Sequence, residues 1–130
     1  MEPARITEDR LLSIRAELSA REPIFHRPEY GSSRESFESM TDSQFWEVGA
    51  SGRRYSREYV LDVLEERCAN PINESWQADD FFCQEIAPDN YLLTYTLNQN
   101  GRVTRRATLW RWSSAGWKIV YHQGTPVEFR

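Results

Sequence analysis

Few residues in this chain are equipped for chemistry, and they are scattered. Its two histidines are His26, in "IFHRPEY", and His122, in the closing stretch "GWKIVYHQGTP". Its most informative cation is Arg106. A guanidinium taken into a mainly apolar cavity suits an anionic small molecule. Left without a partner it is costly, so a carboxylate should stand nearby. Asp80 and Glu47 are the candidates. Other chemistries lack their motifs. No serine sits in a G-x-S-x-G elbow, and no glycine-rich loop is built to cradle phosphate. Two His and two Cys without metal-ligand spacing make no zinc motif, and no cofactor is called for.

The elements that would position these groups are legible. At 130 residues the chain has the length of one domain, residues 1–130. Sixteen Lys+Arg against 20 Asp+Glu give a net charge of -4, which argues against a dedicated nucleic-acid binder. No apolar run is long enough for a membrane span, and the N-terminus lacks a signal-peptide core. A cytoplasmic protein is expected, with Cys68 and Cys83 as free thiols.

The first half reads helical. Thr7 is placed to cap a helix carrying Leu11, Ile14 and Leu18 on one stripe, ended by Pro23. Ser32 and Glu35 fit a capping box before Phe37 and Met40. "FWEVGASGRRYS" reads as a short strand, a turn and a return strand. Ser56 then caps a helix with Val60, Leu61, Leu64 and Cys68 inward, stopped at Asn70-Pro71. The second half reads as four strands, about 76–86, 91–99, 102–112 and 117–123, joined as a meander.

Asn100-Gly101 predicts a two-residue type I′ turn, which fixes a register. Tyr95 then opposes Arg106, Leu93 opposes Thr108, and Tyr91 opposes Trp110. With period-two alternation, one face collects Tyr91, Leu93, Tyr95, Leu97, Arg106, Thr108, Trp110 and Trp112. This bulkier face is assigned to the helices. An even loop at 113–116 places Trp112 opposite Trp117, with Tyr121 and Gln123 inside and His122 outside. A three-residue loop would reverse that, since a one-residue slip flips every side chain. The same reasoning at the 87–90 turn puts Asp80, Phe82, Gln84 and Ile86 on the inner face. His26 lies in a loop that could reach a pocket mouth.

Helices followed by a curved antiparallel sheet resemble the nuclear transport factor 2-like superfamily. The stretches "FWEVGASGRRYSREYVLDVL" and "RRATLWRWSSAGWKIVYHQGTPV" carry the resemblance most clearly, and it covers about Leu11 to Pro126. They look most like small bacterial domains without an assigned activity, and more distantly like SnoaL-like and ketosteroid isomerase-like proteins. The resemblance implies an α+β cone, a cystatin-like roll with three N-terminal helices in the concave face of a mostly antiparallel sheet. It also implies a cavity between sheet and helices. Members include isomerases, cyclases, dehydratases and plain binding or dimerisation modules, so fold alone does not choose a function.

Three readings follow. The first is a binder of a small organic molecule, anionic or carbonyl-bearing, using Arg106, Tyr95, Thr108, Trp110, Tyr121, Gln123, Trp46 and Tyr55. The second is an isomerase- or cyclase-like enzyme with Asp80 or Glu47 as general base and tyrosine donors at the oxyanion. A cyclase or dehydratase would want a His–Asp pair in the cavity. The third is a homodimerisation module, paired through an outer sheet face carrying Leu92, Leu109, Val120 and His122.

Overall fold

Asn100 and Gly101 adopt φ values of 54° and 89°, the left-handed pair that a type I′ hairpin requires. The hairpin they close pairs β4 (Asn90–Gln99) with β5 (Arg102–Ser113) in unbroken register, Tyr95 against Arg106 and Leu93 against Thr108. The computed structural model describes residues 1–71 and 75–128. Within them, a 3-10 turn (Asp9–Leu11) leads into α1 (Leu12–Ser19), followed by α2 (Arg34–Met40), β1 (Thr41–Val48), β2 (Arg54–Ser56) and α3 (Arg57–Ala69). Then come β3 (Trp76–Ala87), β4, β5 and β6 (Gly116–Pro126). The sheet order is β2-β1-β6-β5-β4-β3; all neighbours are antiparallel except β1 and β6. This is the expected α+β architecture, helices on one face of a mostly antiparallel sheet. No helix among the described residues is long and apolar enough to cross a membrane.

Local chemistry explains the helix starts. The Ser56 hydroxyl accepts from the Tyr59 amide and caps α3, whose Val60, Leu61 and Leu64 are buried. Cys68, expected on that inner stripe, is exposed. For α2 the capping box is Ser33 with Ser36, one residue beyond the Ser32–Glu35 pair the sequence suggested. Thr7 caps nothing. It is buried, and its hydroxyl accepts from the backbone amide of Cys83 on the edge strand β3. The core packs Leu18 and Phe37 of the helices onto Leu93, Trp110, Trp117 and Ile119 of the sheet.

Three irregularities in the strands overturn parts of the expected register. At the 113–116 turn the even loop forms, with Trp112 across from Trp117. Pairing continues to Trp110 with Ile119, then slips, so that Leu109 faces Tyr121 and Thr108 faces His122. The extra residue is Val120. A bulge of this kind turns every later side chain to the opposite face. His122 is therefore inside and 4% exposed, while Tyr121 and Gln123 point outward, the Tyr121 hydroxyl donating to the Gln123 side chain. Trp46 is also outside, 44% exposed and packed on Tyr121, because β1 turns Phe45 and Glu47 inward.

In β3 the register slips twice, at Ile86 and at Asp80–Phe81. Asp80 sits in the second bulge at φ 65°, a conformation that Asp tolerates better than most residues. Its carboxylate lands on the outer face, bonded to Arg5 and Thr96 and close to Arg105. Arg5 holds the Asp80 carboxyl below its ordinary pKa, chiefly through that hydrogen bond. Asp80 thus neither partners Arg106 nor enters the cavity. Phe82 and Gln84 also leave the inner face, and Phe81 stacks on Tyr95 in their place.

Candidate functional site

One row of side chains crosses all six strands on the inner face: Tyr55, Glu47, His122, Thr108, Leu93 and Cys83. The next row runs through Tyr95, Arg106 and Gly124. Between these rows and α3 lies a cavity of about 520 Å³. Its apolar wall includes Ile24, Val60, Leu64 and Leu97. Its polar groups include Glu47, His122, Arg106 and Tyr95 on the sheet, with His26, Arg67 and Arg102 also on the lining.

His122 and Glu47 form a polar pair in the cavity, Nδ1 to Oε2 at 2.9 Å. The parallel pairing of β1 with β6 sets them side by side. A carboxylate at Nδ1 fixes the ring and leaves Nε2 as the nitrogen to meet a ligand. That is the arrangement of a general base held in one tautomer.

Arg106 is half-buried and donates from Nε to the Thr104 hydroxyl at 2.8 Å. Among the described residues no carboxylate lies in contact with its guanidinium. The expected ion pair is absent, because Asp80 is outside and Glu47 is taken by His122. Burial, with the Arg102 charge, lowers the Arg106 pKa from its ordinary value, offset in part by Tyr95, Glu47 and Glu22. The guanidinium fits because Gly124, directly across from it, has no side chain.

Behind the cavity wall lies Glu22, a fully buried carboxylate that sequence reasoning passed over. It accepts from the Tyr95 hydroxyl at 2.7 Å, the Trp110 indole at 3.0 Å and the Ile24 amide at 3.1 Å. Burial, then the Glu22 charge, pushes the Tyr95 phenol well above its ordinary pKa. Tyr95 is thus a fixed neutral donor whose proton is already committed. The only cue in the sequence was a Glu immediately before Pro23, which reads equally well as solvated loop.

Of the sequence-derived candidates, the fold gathers Arg106, Tyr95, Tyr55 and Glu47 on one cavity. Thr108 is buried in the row beside His122, and its hydroxyl has no hydrogen-bond partner among the described residues. Trp110 is buried against Glu22 rather than lining this cavity. Asp80, Trp46, Tyr121 and Gln123 are excluded by the strand geometry. His26 reaches the cavity as its loop position suggested, beside Arg67, which also donates to the Phe25 carbonyl.

No family model matches the chain, and no curated protein matches it in sequence. Solved structures do match in shape. A candidate dehydratase of the NTF2-like family from Streptomyces avermitilis aligns over 90% of this chain and 99% of its own, with a TM-score of 0.70 and 17% identity. An NTF2-like protein from Cytophaga hutchinsonii aligns over 93% and 100%, with a TM-score of 0.67 and 14% identity. The chain has the nuclear transport factor 2-like fold. A third match in shape is a candidate Ca/calmodulin-dependent kinase II association domain from Exiguobacterium sibiricum. It covers 100% of this chain and 99% of its own at a TM-score of 0.59 and 19% identity. At these identities the likeness is one of fold, and what the cavity does rests on its own residues.

Proposed function

We propose that this NTF2-like domain binds a small organic anion in the cavity between α3 and the sheet, with Arg106 holding the anionic group. The observation that carries this reading is the half-buried Arg106 guanidinium, which meets a hydroxyl but no carboxylate among the described residues. A buried cation without an ion partner is stabilised by an incoming carboxylate. The apolar wall of Ile24, Val60, Leu64 and Leu97 suits the ligand's hydrocarbon part. Calorimetric titration with octanoate tests the reading. Saturable binding that weakens by about tenfold or more in Arg106→Gln is expected. Equal affinity in both proteins refutes it.

The His122–Glu47 pair favours a second reading on the same site. If the bound compound carries an acidic C–H beside a carbonyl, His122 Nε2 is placed to take that proton. Glu47 would stabilise the resulting imidazolium, and the compound would isomerise or lose a leaving group. The base is then His122, with Glu47 as its positioning partner, rather than Glu47 or Asp80 acting alone. A candidate dehydratase among the structural neighbours is compatible with this reading. Solvent deuterium exchange into a bound ketone or keto acid tests it. Exchange should be catalysed by the wild type and lost in His122→Asn.

The outer sheet face supports self-association. It presents Trp46, Tyr121, Leu92, Leu109 and Val120, all at least partly exposed. A homodimer through this face is the corresponding proposal, checked by light scattering on the wild type and Trp46→Asp.

A further inference from the structure

The cationic groups of the cavity stand at two heights. Arg102 and Arg106 are four residues apart on β5, so both face inward, their Cα atoms about 13 Å apart along the strand. Arg106 is half-buried, and Arg102 is exposed at the hairpin end, across from Gln99. Between them lies the pair Leu97 and Thr104, both buried, with Leu97 lining the cavity. Arg67 of α3 lines the cavity from the helix side, its guanidinium fixed by the Phe25 carbonyl. The chain as a whole is acidic, with a net charge of -4. Yet, among the described residues, this cavity gathers three Arg against one carboxylate, and that carboxylate, Glu47, is engaged by His122.

We propose that the ligand is a dianion: a linear dicarboxylate with an apolar middle, one carboxylate at Arg106 and the other at the rim on Arg102 and Arg67. This rests on the anion reading of Arg106 and deepens it. A monoanion leaves Arg102 facing solvent, while a dicarboxylate spans both poles and lays its methylenes along Leu97 and the α3 side chains. The second carboxylate stays half-solvated, so its contribution is moderate and sensitive to salt.

The test compares suberate with octanoate, which share a chain length, by calorimetry at low ionic strength. A symmetric dicarboxylate gains about twofold from its two equivalent orientations, and an exposed ion pair adds up to about fivefold. Suberate should therefore bind clearly more than about twofold tighter than octanoate, near fivefold or above. In Arg102→Gln the ratio should fall towards about two, Arg67 keeping part of the gain, and Arg102→Lys should restore part of it. Added salt should erode the ratio faster than it weakens octanoate. If octanoate binds but the wild-type ratio is two or less, the dianion is refuted while the anion reading stands. A high ratio unmoved by Arg102→Gln refutes the rim assignment. Failure of both ligands to bind refutes this proposal together with the reading beneath it.

Discussion

Gly124 stands across from Arg106, and a Cβ built on it would lie 2.9 Å from the Arg106 Cζ. The missing side chain is what admits a guanidinium between two strands of a packed sheet. The contact is with the far end of a flexible side chain, so an added methyl need not strain the backbone. It would move the guanidinium from its Thr104 anchor. Gly124→Ala should therefore lose anion affinity while changing stability by less than about 1 kcal/mol. Titration with octanoate and chemical denaturation of the same variant check the two halves.

Glu22 makes the opposite case, a residue whose loss should be felt first in stability. Three donors converge on its buried carboxylate, from Tyr95, Trp110 and Ile24. Glu22→Ala leaves all three unsatisfied and opens a void. A loss of about 3 kcal/mol or more in denaturant unfolding is expected. Tyr95→Phe removes one donor and leaves the others, so about 1 kcal/mol is expected.

The bulge at Val120 turns His122 inward and brings it to Glu47. Nitrogen-15 NMR of the imidazole should show the neutral ring carrying its proton on Nδ1, the nitrogen facing Glu47. In Glu47→Gln that preference should weaken, because the amide can donate as well as accept. A ring already in the other tautomer in the wild type would remove the basis for a general base at Nε2.

Burial pushes the Cys83 thiol up to about 11, from 9.0. The folded state therefore favours the protonated thiol. Its contribution to stability is complete below pH 9.0 and is lost as pH rises towards about 11. Tyr95, also raised by burial, adds to alkaline destabilisation in the same direction. Cys83→Ala should flatten the slope of stability against pH in this window. A thiol reagent should label the exposed Cys68 in the native protein and reach Cys83 only on unfolding.

Much of this was legible in the sequence, and the boundary has a physical cause. Turn chemistry is local: Asn100-Gly101 sets its own backbone, and the β4–β5 register followed residue for residue. Ser56 likewise announced α3. The bulges at Val120, Ile86 and Asp80 are not local in that sense. They arise where a curving sheet must match strands of unequal path, and nothing in "KIVYHQ" distinguishes a bulged Val from a paired one. Since one bulge inverts every side chain beyond it, a correct turn still gave His122, Tyr121 and Gln123 the wrong faces. Asp80 was lost to the same effect. Arg106, Tyr95, Tyr55 and Glu47 survived because they lie where register was unbroken or set by a short hairpin. Glu22 was hidden for another reason. Its burial depends on where the loop after α1 crosses the sheet, which is a tertiary fact.

The most direct test is a crystal structure of the protein grown with octanoate, read at Arg106. The account predicts density for the acid in the cavity, its carboxylate within hydrogen-bond distance of the guanidinium and its chain along Leu97 and Leu64. An interior closed by side chains, with Arg106 paired to Glu47 or Glu22 and no room for a ligand, would contradict it.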